Sequence, residues 1–111
     1  MPDVQLLRAA GHYAVPEGAP NQYREHVRCA DMSVGTYCIP VGGKDGQEPH
    51  TEAEVYVVMR GRARLVTDTA EVDVAPGSVI FLPAAEPHHF TDVSEDLSVV
   101  VVFAAPGRPP A

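Results

Sequence analysis

"QEPHTEAEVYVVMRG", residues 47–61, sets an imidazole and a carboxylate four positions apart, His50 and Glu54, at the head of an apolar run. On a straight strand, residues four apart share a face but stand roughly 13 Å from each other, too far to hold one ion. On a helix the same spacing would bring them together. The residues that follow, Val55, Tyr56, Val57 and Val58, are β-branched or aromatic and favour a strand. The spacing therefore predicts a reversal at Thr51, Glu52 and Ala53, with His50 closing one strand and Glu54 opening the next.

The remainder of the chain has the same character. Eleven prolines and nine glycines punctuate short runs of Val, Ile, Tyr and Phe, a pattern of many short strands rather than helices. The expected strands are 23–29, 33–39, 54–60, 63–67, 71–74, 78–82, 88–92 and 97–103. The connections between them are short, so neighbours should be antiparallel, and the chain reads as all-β, either a sandwich or a barrel of jelly-roll type. At 111 residues it fits one domain. Residues 1–22 read as an N-terminal arm, 23–104 as the core and 105–111 as a polar tail.

Composition excludes several partners. A formal net charge of -7, with only eight Lys and Arg along the chain, would repel a phosphate backbone, so no nucleic-acid partner is expected. The apolar runs are too short to span a membrane, and the N-terminus has no signal-peptide core, so the expected location is the cytoplasm with no membrane partner. In that setting Cys29 and Cys38 are expected as free thiols acting as small buried hydrophobes.

A second stretch, "APGSVIFLPAAEPHHF" at residues 75–90, runs as a short strand to Pro83, turns, and returns at His88. Together the two stretches resemble the paired motifs of the cupin superfamily. The close of the first motif, His, three residues, Glu, six residues, Gly, fits His50, Glu54 and Gly61. The second motif fits Gly77, Pro83 and His88, with Ala85 where the family has glycine and Asp92 where it has asparagine. The resemblance covers roughly residues 30–104 and implies a small cupin β-barrel.

It also implies a metal site. The family's ligands would fall on His50, Glu54 and His88, and Glu48 stands where cupins usually carry their first histidine. Two imidazoles and a carboxylate with open positions suit Fe(II), Mn(II), Zn(II) or Ni(II). Glu48 has three readings: a further ligand, a general base in the cavity mouth, or a solvated acid beside Lys44. By strand alternation Tyr56, Val58 and Phe90 should face inward with the ligands, joined by Tyr37 and Ile39 or else by Thr36 and Cys38. Tyr56 is read both as a packing aromatic and as a candidate catalytic hydroxyl. His89 should face outward, and His12 and His26 should face solvent.

The resemblance therefore implies a divalent-metal-dependent enzyme, an oxygenase, isomerase, cyclase or lyase, acting on a small organic molecule. The alternative it leaves open is a non-catalytic module that binds a small molecule or sugar. A homodimer is the expected assembly.

Overall fold

The computed structural model describes residues 4–7, 21–46 and 52–104, and every regular element among them is a strand. The elements are β1 (Gln22–Arg28), β2 (Met32–Ile39), β3 (Glu54–Thr67), β4 (Glu71–Val74), β5 (Val79–Leu82) and β6 (His88–Ala104). All pairings are antiparallel. They build one sheet in the order β1-β2-β6-β3-β4, with β5 also paired to β3.

Two expected breaks turn out to be bends. The segments expected as 54–60 and 63–67 form one strand of 14 residues, and those expected as 88–92 and 97–103 form one of 17. "GR" at 61–62 and "VSED" at 93–96 do not end strands. The β3–β6 ladder shifts register between Val58 and Arg64 instead. Gly61 has φ +91°, and a Cβ there would run into the Asp96 carbonyl and lie 2.7 Å from the Leu97 Cα. Glycine allows both the left-handed backbone and the close approach, and a bulge bends a ribbon without ending it.

This bend creates the interior. Glu54 pairs with Phe103 at one end of the β3–β6 ribbon, and His88 pairs with Thr67 at the other. Their side chains nevertheless meet, because the ribbon folds back over itself. β5 continues the sheet beside the first half of β3, and β4 beside the second. The apolar core between the halves contains Ile39, Val58, Leu65, Phe90, Leu97 and Val99, each exposed by 1% or less.

Alternation assigns the faces as the sequence pattern implies. Glu54, Tyr56, Val58, His88 and Phe90 are buried, whereas His89 is exposed. On β2, Tyr37 and Ile39 pair with Val99 and Leu97 of the core face, while Thr36 and Cys38 pair with Val100 and Ser98 on the opposite face. Both cysteines are free; Cys38 is buried, but Cys29, just past β1, is exposed, contrary to the expectation of two buried thiols. His26 also departs from expectation. It is half-buried and hydrogen-bonded at 2.8 Å to Oγ1 of the fully buried Thr36. Among the described residues no helix is long and apolar enough to cross a membrane.

Candidate functional site

Three inward side chains of the bent ribbon converge at its polar end. Glu54 opens β3, Tyr56 follows two residues later on the same face, and His88 opens β6. Glu54 Oε1 lies 2.7 Å from His88 Nε2, with both side chains at 2% exposure or less. The Tyr56 hydroxyl lies 3.0 Å from the same nitrogen, and the Tyr56 and His88 rings meet edge-on at 5.7 Å.

The other ring nitrogen fixes the imidazole. His88 Nδ1 is 2.8 Å from the Glu86 carbonyl, which can only accept, so Nδ1 carries a proton. In the neutral ring the Nε2 lone pair then faces Glu54 and Tyr56, the arrangement in which an imidazole can ligate a metal. Burial alone would lower the His88 pKa. The contact with Glu54, the Glu86 carbonyl and the negative charges of Glu54 and Asp45 outweigh burial and raise it above 6.5.

Glu54 is less well provided for. Its Oε1 approaches His88 closely enough for an ion pair, but the contact is not aligned as a hydrogen bond. Neither carboxylate oxygen has an aligned donor among the described residues. A dry carboxylate in that condition carries a large desolvation cost, which a cation would offset. The donor set fits a divalent ion, since a hard oxygen ligand and an oriented imidazole already face each other.

His50 and Glu48 lie outside the described residues, as does Thr51 of the expected reversal. Among the described residues no group of three or more His, Cys, Asp or Glu is gathered as a metal cluster. The structure thus brings together two of the three expected ligands and the candidate hydroxyl.

Beside His88 opens a pocket of about 430 Å³, lined by Asp45, Gly46, Thr67, Asp68, His88 and His89 among others. Asp45 was not singled out from sequence. Its Oδ1 accepts from the Tyr37 hydroxyl at 2.7 Å and its Oδ2 from the Phe90 amide at 2.8 Å. Burial, the bond to Asp45 and the charge of Asp45 push the Tyr37 phenol far above its ordinary range, while the Asn21 amide opposes them weakly. In sequence Asp45 is one acid in a Gly-rich loop, a setting in which Asp usually signals a turn.

A family model for the cupin domain matches residues 35–103, more than half of the chain and both motif segments. The chain belongs to the cupin family. This cupin is 44% identical over 84 residues to an uncharacterized protein of Streptomyces coelicolor, spanning 76% of the present chain and 80% of that protein. Among solved structures it resembles a double-stranded β-helix protein of Klebsiella pneumoniae, with TM-score 0.79, 14% identity, and 96% and 95% of the two chains covered. It also resembles the DMSP lyase DddQ of Ruegeria pomeroyi, with TM-score 0.75, 13% identity, and 96% and 57% covered. At those identities the structural likeness establishes the shared fold.

Proposed function

We propose that this cupin is a divalent-metal-dependent enzyme that acts on a small organic molecule at the polar end of its barrel. One observation carries the reading: among the described residues the buried Glu54 carboxylate has no aligned donor, and it faces the Nε2 of an imidazole whose Nδ1 is already committed. His50, Glu54 and His88 would hold the ion, with Fe(II), Mn(II), Zn(II) and Ni(II) as the candidates. When bound, such an ion supplies Lewis acidity toward a substrate oxygen.

The chain's own groups supply the remaining functions. The Glu86 carbonyl keeps His88 in one tautomer and ring orientation. Tyr56 places a hydroxyl at the inner end of the site, where it can hold or deliver a proton. Glu48, next to His50 in the motif, is the candidate general base. The pocket beside His88 is of a size suited to a small molecule. Isomerase, cyclase, oxygenase and lyase chemistries all remain within this reading, and the fold shared with a DMSP lyase supports including the last.

The test is metal content. Purified wild-type protein should carry roughly one divalent ion per chain, and His50→Ala and His88→Ala should lose it. Metal content unaffected by either substitution would overturn the assignment. Loss of the ion together with collapse of the fold would mark the metal as structural rather than functional.

A homodimer belongs to the same proposal. The outward face of β3, β5 and β6 carries Val55, Val57, Val79, Phe81, Val100 and Val102 in register, with Val79 67% and Phe81 66% exposed. Large apolar side chains grouped in this way suit association with a second copy. Light scattering at micromolar concentration should give a dimer that Phe81→Glu dissociates; a wild-type monomer would refute it.

A further inference from the structure

Residues 40–46 approach the site along a path with several anchors. The Val41 amide donates to Asp96 Oδ1 at 2.9 Å and the Gly42 amide to the Val93 carbonyl at 3.0 Å. Asn21 Nδ2 donates to the Lys44 carbonyl at 2.6 Å and to the Tyr37 hydroxyl at 3.2 Å. Asp45 then ties this stretch to two strands. One carboxylate oxygen takes the Tyr37 hydroxyl of β2, and the other takes the Phe90 amide of β6, two residues beyond His88. At the head of β3 the Ala53 carbonyl accepts from the Ala104 amide at 3.0 Å.

We infer that Asp45 is a positioning residue: its two carboxylate oxygens tie the stretch ending at Gly46 to β2 and to the strand carrying His88, two residues from that imidazole, and so hold His88 in place. The inference rests on the proposed reading of Glu54 and His88 as ligands of one ion. The geometry explains why a carboxylate is needed at this position. Two donors approach from different strands, and only a side chain with two acceptor oxygens satisfies both. Asparagine would turn one of those acceptors into a donor. Asp45 also lines the pocket beside His88, and its negative charge is felt at the His88 imidazole. It acts through the placement of His88 and needs no contact with the ion.

Co(II) is a suitable probe, because its absorption spectrum reports the coordination geometry. Wild-type protein should bind about one Co(II) per chain, and His88→Ala should abolish binding. Asp45→Asn and Asp45→Ala should weaken Co(II) binding by about 10-fold or more and alter the spectrum of the bound ion, as removing a group that orients ligands does. Tyr37→Phe, which removes one of the two bonds and keeps the Phe90 bond, should give a smaller loss in the same direction. It also provides a test if the Asp45 variants do not fold. Wild-type protein that fails to bind Co(II) would overturn the metal reading, and this inference with it. Wild-type binding matched by Asp45→Ala or Asp45→Asn, or weakened with an unaltered spectrum, would overturn the role of Asp45 alone.

Discussion

The two ends of the barrel interior are almost equally dry and are built on opposite principles. At one end Leu65, Phe90, Leu97 and Val99 are apolar and each at most 1% exposed. At Glu54 and His88 exposure is 2% and 6%, yet the space holds a carboxylate, an imidazole and a phenol hydroxyl. Burying an apolar side chain gains about 1.5–3 kcal/mol. Burying a carboxylate with no aligned donor among the described residues works against folding. The apolar end accounts for why the chain folds, and the polar end works against folding by an amount that the proposed ion would offset.

The strongest way to break that contrast is to hollow out the apolar end. Phe90 lies where the two ends meet, its ring 5.1 Å from that of Tyr56. Phe90→Ala should remove about 3–5 kcal/mol of stability, measured as a lower urea midpoint at unchanged slope. A loss of under about 1 kcal/mol would mean the interior repacks freely and the contrast is false. At the other end, Glu54→Gln removes a charge while keeping the volume. Divalent-ion affinity should drop by about 100-fold or more, while the metal-free protein, at a pH high enough to keep His88 neutral so that no ion pair is broken, should change by only about 1 kcal/mol in either direction. A metal-free loss matching that of Phe90→Ala would make Glu54–His88 a structural ion pair.

The response to pH sharpens the same comparison, because only the polar end titrates. His88 is raised above 6.5 in the folded protein, against burial and by Glu54, the Glu86 carbonyl and Asp45. Its protonated form therefore adds stability that is fully present below pH 6.5 and is lost as pH rises through the folded value. Metal-free protein should show a urea midpoint that declines over that window, and His88→Gln should remove that component. Proton and metal compete for Nε2, so ion affinity should move oppositely and strengthen as pH rises. A wild-type midpoint that climbs across the window, with His88→Gln following the same curve, would contradict the assigned shift.

Much of this contrast is legible in the sequence, and the parts that are not have physical causes. Strand alternation alone places Glu54, Tyr56, His88 and Phe90 on one face and His89 on the other, because a period of two is a local property. The merging of strands into β3 and β6 is not local. "GR" and "VSED" have turn composition, and only the pairing of one against the other, with Gly61 against Asp96, makes them a bend in a continuous ladder. Asp45 escapes for a related reason, since its two partners lie eight and 45 residues away in the chain. His26 escapes likewise, its partner Thr36 being reached only once β1 and β2 pair.

The smallest effect concerns the turn that delivers His88 to the polar end. The Glu86 amide bonds to the Pro83 carbonyl at 3.3 Å, closing a turn in which Ala85 has φ +63°. A positive φ at the third position of such a turn is the glycine position of type II geometry. The cupin motif has glycine there, and this chain has alanine. The Cβ costs roughly 1–2 kcal/mol in the left-handed region, and glycine returns part of that as extra freedom in the unfolded chain. Ala85→Gly should therefore stabilise the protein by about 0.5–1 kcal/mol, a rise in Tm of roughly 2–6 °C for a domain of this size. Ion affinity should stay unchanged, because the turn keeps its path and the Glu86 carbonyl its hold on Nδ1. If Ala85→Gly gained stability but lost ion affinity, the strained alanine would be part of what aims His88, and the polar end would extend back to Pro83.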